Sequence, residues 1–217
     1  MKLSVCARLG IAALLLAMLP SCGPMTQLTS SWADPQFANH TYRKVVVVGV
    51  TPVTTIRRMY EDTFVAELKS RGIEGISSYT VIGEEQPIDK EVASVKLKEA
   101  GVDGVIVTRL IDKESVETYY PPTYSSVAAP GPYYGGWYNY YSVGYTYMSS
   151  PGYVAEDHIY KIETNLYDVG TDKLAWSGLT ETTLSSGNAP ETEVKPLITL
   201  LMTEMEKKKL MPPKMKS

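Results

Sequence analysis

Few residues of the chain have the types and spacing that catalysis or metal binding requires. The only histidines are His40 and His158, and the two cysteines, Cys6 and Cys22, both lie near the N-terminus. A zinc site needs three or four suitable ligands, so we expect no metal site. Asp157 precedes His158, but adjacent residues of a strand point to opposite faces. No phosphate-binding glycine motif or nucleophile elbow is present, so we expect no cofactor and no catalytic residue.

Carboxylates are the remaining groups that could do chemistry. Asp112, Glu114 and Glu117 follow a buried strand, and residues 112 and 114 share one strand face. Ligands of α/β sheets bind at the carboxyl ends of the strands, so a carboxylate-dependent hydrolase is an alternative. Nothing polar pairs these groups in the sequence, which favours a solvated strand edge. Arg57 and Glu61 have the i,i+4 spacing of a helical ion pair, typically contributing about 0.2–0.5 kcal/mol.

The N-terminus carries a targeting pattern. Lys2 and Arg8 precede the apolar run Ile11–Leu19, which is too short to span a bilayer. We therefore expect residues 1–21 to be a signal segment. Removing its two basic residues takes the net charge from −3 to −5. No basic patch appears, so nucleic acid is not an expected partner.

The end of this segment, Leu19-Pro20-Ser21-Cys22, resembles the lipobox of bacterial lipoproteins. The resemblance implies cleavage before Cys22, a thioether-linked diacylglycerol on its sulfur and an acylated amino end. The alternative is an ordinary signal peptide with an incidental cysteine. Two or three acyl chains, at about 0.8 kcal/mol for each buried CH₂, anchor a protein stably. Gly23, rather than Asp, follows the cysteine, which in lipoproteins implies the periplasmic face of the outer membrane.

Residues 119–153 are unusually rich in aromatic side chains. They contain eleven of the sixteen tyrosines and Trp137, and no Lys or Arg. Aromatic rings with small spacers give rigid contact area at low entropic cost. We predict a contact surface at the tip of a hairpin. Its residues are Tyr124, Tyr133, Tyr134, Trp137, Tyr138, Tyr140, Tyr141, Tyr145 and Tyr147.

Several partners fit such a surface. An envelope protein or a second copy of the chain could bind it, and sugar rings of peptidoglycan or another glycan could stack on it. Tyrosine and tryptophan also settle at the interface between a membrane and water. The remaining alternative is a loop that packs on itself and covers the sheet.

The run Arg43–Val50 predicts the strand around which the domain is built. Its unbroken β-branched residues indicate a strand buried on both faces, at the centre of an α/β sheet. Two strand–helix–strand units follow, which predict parallel strands with right-handed crossovers. The predicted elements are a helix at Thr55–Arg71, a strand at Ile76–Ile82, a helix from Pro87 to Gly101 with Val92 and Val95 facing inward, and a strand at Gly101–Leu110.

Two hairpins and a helix complete the chain. We predict that Ile111–Tyr120 pairs with Tyr153–Asp168, and that Lys173–Thr183 pairs next. An apolar stripe of Val194, Leu197, Ile198, Leu201 and Met205 predicts a final helix at Pro190–Lys208.

The predicted fold is α/β, a mixed sheet of about five strands in the order β-α-β-α-β-β-β-α with a long Tyr/Gly-rich hairpin insertion. Its parts are a lipidated tether (22–42), one domain (43–211) that contains the insertion (119–153), and a tail (212–217).

This order of elements resembles the α/β domain in the N-terminal part of TolB, in CsgG and in LpoB. A closer similarity, to a family of uncharacterised small bacterial lipoproteins, lies in Arg57–Glu61, Gly101–Arg109, Glu163–Asp168 and Lys173–Ser177. The resemblance implies a fold and a location but no activity. We therefore expect a non-catalytic binding or assembly module of the cell envelope. A glycan-binding protein or the hydrolase is the alternative.

Overall fold

A six-stranded mixed sheet organises the protein, confirming the α/β class. The computed structural model describes residues 25–84, 89–121, 153–185 and 191–215. The strands follow the order β1-β6-β5-β4-β2-β3. They are β1 Met25–Ala33, β2 Lys44–Val50, β3 Glu74–Ser77, β4 Gly104–Tyr120, β5 Tyr153–Asp168 and β6 Lys173–Ser185; the helices are α1 Thr54–Lys69, α2 Ser78–Val81, α3 Lys90–Glu99 and α4 Glu191–Lys207.

The parallel part of the sheet is formed by β2 between β3 and β4, as the strand–helix–strand pattern predicted. Val45, Val46 and Val47 are fully buried, so β2 is covered on both faces. It lies one strand in from the edge, because only the short β3 lies beyond it. β3 starts earlier than predicted and ends at Ser77, where the single turn α2 begins.

The core lies between the sheet and helices α1 and α4. Phe64 and Leu68 of α1 meet Leu201 and Met205 of α4 in one buried cluster with Trp176 of β6. The predicted stripe of α4 is confirmed, with Leu197, Ile198, Leu201 and Met205 buried and Val194 packed against the cluster.

Helix α3 differs from its prediction. Val92 and Val95, expected to face inward, are 47% and 55% exposed, and no residue of α3 is buried. Its ends are defined locally: the Asp89 carboxylate accepts a hydrogen bond from Val92 N–H, and Gly101 takes φ +66° just after the helix. The N-terminal cap and the glycine after the last turn thus define where this helix begins and ends. Its apolar residues are too few to bury one face against the sheet.

Both predicted hairpins are confirmed. β4 and β5 pair antiparallel from Gly104–Asp168 to Tyr120–Tyr153, with an irregularity at Ile111. β5 and β6 pair antiparallel through the turn 169–172. In that turn, Asp168 Oδ1 accepts hydrogen bonds from both the backbone N–H and the hydroxyl of Thr171.

The predicted tether proves to be part of the sheet. Residues 25–33 form β1, which pairs with β6 and raises the strand count from about five to six. Ser31 Oγ donates to Glu204 Oε1 at 3.2 Å, and Phe37 is buried in the turn that follows. Sequence periodicity missed β1 because a polar edge strand is held largely by backbone pairing, which leaves little hydrophobic pattern.

The predicted tail also contacts the domain along its described residues, 212–215. Met215 N–H donates to Ser70 O at 3.2 Å, and Lys214 Nζ lies 3.0 Å from Glu67 Oε2. Arg71 Nη1 donates to Pro212 O at 3.2 Å. Residues 212–215 therefore pack against the C-terminal end of α1 and the two residues that follow it.

Candidate interaction site

A two-stranded ribbon extends from one end of the sheet. The pairing of β2 with β4 ends at Val50 and Arg109, and the pairing of β6 with β5 ends at Ser185 and Asp157. Among the described strands, β4 and β5 therefore continue alone beyond the level of Asp157. We call residues 118–120 and 153–155 the ribbon end.

Aromatic and aliphatic side chains are exposed at the ribbon end. Tyr119 and Tyr153 are each 63% exposed, Val154 is 59% exposed and Tyr120 is 44% exposed. The rings of Tyr120 and Tyr153 stack with centroids 5.0 Å apart. Tyr119 and Val154 lie on one face of the ribbon and Tyr120 and Tyr153 on the other, so both faces expose aromatic or aliphatic side chains to water.

The tip residues named from the sequence all lie outside the described residues. They are Tyr124, Tyr133, Tyr134, Trp137, Tyr138, Tyr140, Tyr141, Tyr145 and Tyr147. The ribbon end is the described base of the same hairpin. The sequence predicted that the two strands pair as far as Tyr120 and Tyr153, and the structure confirms it.

The carboxylates of the ribbon have a partner that the sequence did not reveal. Lys161 lies opposite Asp112 in the ladder, with Nζ 3.1 Å from Asp112 Oδ2, and it also contacts Glu114. The Lys161 hydrogen bond lowers the pKa of Asp112, and the bonds to Glu114 and then Asp112 raise the pKa of Lys161. The expectation of unpaired carboxylates was wrong, because cross-strand register brings a distant lysine to them.

We expect Lys161→Met to raise the pKa of Asp112 toward its ordinary value of 3.8. In the native protein this pKa is depressed, so the pair stabilises the fold above the ordinary pKa and loses that contribution as the pH falls through the folded-state pKa. An NMR titration of the Asp112 carboxyl measures the shift. Lys113→Met is the control, because Lys113 lies over the Tyr160 ring instead. An unchanged Asp112 pKa in Lys161→Met would contradict the pairing.

A cleft of about 340 Å³ opens at the carboxyl ends of β2 and β4. Its lining is largely apolar and includes Val50, Ile56, Leu110, Ile162, Leu184 and Val194. At its base the Tyr60 hydroxyl lies 2.7 Å from Thr108 Oγ1, which lies 2.9 Å from Thr164 Oγ1. Burial raises the pKa of Tyr60 far above its usual range, so this group remains a neutral hydrogen-bonding hydroxyl.

The carboxylates considered for hydrolysis do not line this cleft. Tyr160 lines it, and the next residue of the same strand, Lys161, points to the opposite face with Asp112 and Glu114. The carboxylate in the cleft is Glu193, which is buried and lies in the first turn of α4. A helix N-terminus stabilises a negative charge at that place.

The histidine considered for catalysis has a structural partner. His158 Nδ1 lies 3.0 Å from Ser115 Oγ on the exposed ladder, whereas Asp157 is paired with Val116. The neighbours therefore face opposite sides, as predicted. In the described parts of the chain, no group of three or more His, Cys, Asp or Glu is arranged to hold a metal ion.

The sequence failed to identify a buried ionic network beside the cleft. Arg57 is 3% exposed and Glu61 is fully buried, with Nε to Oε1 at 3.0 Å. Glu61 Oε1 also accepts from Gly49 N–H at 3.0 Å and from Ser78 Oγ at 2.7 Å. Arg57 Nη1 and Nη2 donate to Glu84 O and Gly83 O. The i,i+4 spacing is the same for surface and buried pairs, so no local signal revealed the burial.

Similarity to known proteins is confined to solved structures. No family model and no curated protein sequence matches the chain. Solved structures with a similar fold include a PelC dodecamer from Paraburkholderia phytofirmans, at 12% identity and TM-score 0.45 over 88% of this chain and 100% of that one. Another is the lipoprotein GNA1162 from Neisseria meningitidis, at 13% identity and TM-score 0.41 over 76% and 99%.

These similarities are loose. At these TM-scores and identities they carry no argument about the family or the function of this chain. No helix in the described residues is long and apolar enough to cross a bilayer.

Proposed function

We propose that the chain is a lipoprotein anchored through Cys22 on the periplasmic face of the outer membrane. It acts as a non-catalytic binding or assembly module of the cell envelope. Its contact surface is the ribbon end together with the Tyr-rich segment that the ribbon carries. The observation that supports this most is the exposure of Tyr119, Tyr153 and Val154 on a ribbon that, among the described strands, extends beyond the rest of the sheet.

Physical chemistry supports a contact role for this surface. Clustered apolar side chains that face water mark an interaction site. Neither outer edge of the ribbon has a partner strand within the described residues. Such edges are prone to uncontrolled strand pairing, and a bound partner would prevent it. An envelope protein, a second copy, an envelope glycan and a bilayer surface are each partners for uncharged aromatic side chains.

The arrangement of ionisable groups supports binding rather than transformation. The Tyr60 hydroxyl is neutral and bonded to Thr108, and Asp112 and Glu114 are paired with Lys161 away from the cleft. General acid–base catalysis needs a group whose pKa lies near the working pH and within reach of substrate. The pKa of Tyr60 lies far above the working pH, and neither Asp112 nor Glu114 lines the cleft.

Substitution of Gly23, the residue after Cys22, tests whether the lipid anchor lies in the outer membrane. We expect Gly23→Asp to move the protein from the outer-membrane fraction to the inner-membrane fraction, because the resemblance to lipoproteins implies that this residue directs sorting. Sucrose-gradient fractionation measures the shift, and Gly23→Ser is the control. Mass spectrometry of the native protein should show acyl groups on Cys22 and no residues 1–21. An unacylated Cys22 would refute the proposal.

The contact surface is tested by photo-cross-linking in cells. We expect benzoylphenylalanine at Tyr120 to form adducts with envelope material, and the same group at Val95 to form few. Both positions are exposed, at 44% and 55%, so access to water is matched. Equal labelling at the two positions would contradict a specific contact surface.

A further inference from the structure

The start of β1 and the ribbon lie at the same end of the sheet. Met25 pairs with Thr183, Thr183 pairs with Ile159, and Ile159 pairs with Glu114. β1 therefore begins at the level of Glu114 and runs away from the end of the sheet at which the ribbon projects. Neighbouring strands lie about 4.8 Å apart, so β1 is roughly 10–15 Å from the ribbon strands.

We propose that the ribbon end docks on the surface of the bilayer in which Cys22 is anchored. The inference rests on the proposed lipid anchor and names the partner of the same contact surface. It commits to a lipid headgroup interface, not to a protein.

Chain length supports this placement. From Glu114 to Tyr120 the ribbon advances six residues, or about 20 Å at 3.3 Å per residue. Cys22 is separated from Met25 by Gly23 and Pro24, and the three steps along the chain reach at most about 11 Å. When the ribbon points toward the bilayer, the ribbon end extends farther from Met25 than the distance that can separate Met25 from Cys22, so it reaches the bilayer surface.

The distribution of charge agrees with this geometry. Glu117 and Glu156 lie opposite each other as the last charged pair of the ladder. From Thr118 to Ala155 the sequence contains no Asp, Glu, Lys, Arg or His. Charged groups therefore stop where the ribbon end begins, and exposed tyrosines, the side chains that favour the headgroup region, replace them.

Backbone hydrogen bonding limits how deeply the ribbon end can enter the bilayer. The outer edges of both ribbon strands have no partner strand among the described residues. Unpaired backbone groups are costly in hydrocarbon, so the ribbon end lies in the hydrated interface and does not enter the acyl core. Tyr119 and Val154 share one face, and Tyr120 and Tyr153 share the other, which allows both faces to contact headgroups.

Site-directed spin labelling of the full lipidated protein tests the inference. Once Cys6 is removed and Cys22 is in its thioether, an introduced cysteine is the single free thiol. Val154→Cys reports the ribbon end, and Val95→Cys, on exposed α3, is the matched control. Both labelled proteins are placed in vesicles of phosphatidylethanolamine and phosphatidylglycerol, and collisions with a water-soluble nickel complex and with oxygen are compared.

We expect collisions with the nickel complex to be several-fold fewer at position 154 than at position 95, with oxygen collisions retained. Equal nickel access at the two positions, with Cys22 acylated by mass spectrometry, overturns the docking and leaves the anchor standing. Protection at position 154 that grows with protein density at constant lipid assigns the surface to a second copy and also overturns it. An unacylated Cys22 overturns the anchor and the docking together.

Discussion

Replacing Glu61 by alanine is expected to lower the free energy of unfolding by about 3–5 kcal/mol, because it leaves a buried arginine without its counter-charge. Arg57 would keep its bonds to Ser78, Gly83 O and Glu84 O but would lose the carboxylate. The same change removes the acceptor that Glu61 offers to Gly49 N–H at the end of β2. Urea-induced unfolding of the variant and the native protein measures the difference.

Arg58→Ala is the matched control for this prediction. Arg58 also pairs with a glutamate, Glu84, but both side chains are about half exposed. Its ring contact with Tyr79 is at the surface as well. We expect a loss below about 1 kcal/mol, as for other exposed pairs. A Glu61→Ala variant as stable as Arg58→Ala would show that the network does not support the fold.

A double variant separates charge from packing. Arg57→Met with Glu61→Leu removes both charges and keeps much of the side-chain volume. Replacing a buried pair by apolar groups is often close to neutral, so we expect the double variant to be more stable than Glu61→Ala. Equal loss in both would assign the effect to the hydrogen bonds made to Gly49 and Ser78.

The second large effect is expected at Gly178. A Cβ atom there would lie 2.2 Å from Cη2 and 2.7 Å from Cζ2 of Trp176, whose side chain is fully buried. The two residues are i and i+2 on one face of β6, so the indole lies over the glycine. Gly178→Ala must displace this ring, and we expect a loss at or above the upper end of the range of about 1–3 kcal/mol for overpacked cores.

Thermal unfolding of four variants, Gly178→Ala, Gly170→Ala, Trp176→Leu and the double variant Trp176→Leu with Gly178→Ala, checks this prediction. Gly170→Ala is the control, since its Cβ would meet only Asp168 Oδ1, at 3.4 Å, and we expect a change within about 0.5 kcal/mol. On a Trp176→Leu background, Gly178→Ala should cost much less than in the native protein, because the clashing ring atoms are gone. A Gly178→Ala cost that is the same on both backgrounds would exclude the indole contact as its cause.

The finding that β1 starts at Met25 changes what a lipid anchor would do. A long tether would let the domain rotate freely above the membrane. With only Gly23 and Pro24 between Cys22 and Met25, a lipid anchor would instead bring one end of the sheet to the bilayer, and the ribbon projects from that end. Orientation at the membrane would thus follow from the strand register.

The sequence alone determined the features that leave a local pattern. The apolar run of β2, the stripe of α4 and the alternation of the two hairpins each record burial in the spacing of side chains. The expected cellular location rests on local signals of the same kind. These are the basic residues and the apolar run of the N-terminal segment, and the residues around Cys22. The tyrosines of the candidate surface were likewise visible as composition.

Only the tertiary structure decided which polar residues are buried and which strands are neighbours. Arg57 and Glu61 form a buried network because Gly49 and Ser78, distant in sequence, supply its other partners. β1 exists because β6 offers it a backbone edge, a pairing that its polar side chains do not record. Helix spacing and strand alternation record whether a side chain faces inward, but they do not record the long-range pairing of backbones or of charges. For that reason the sequence contained the aromatic residues, and the register of the strands alone placed the ribbon end at the end of the sheet where β1 begins.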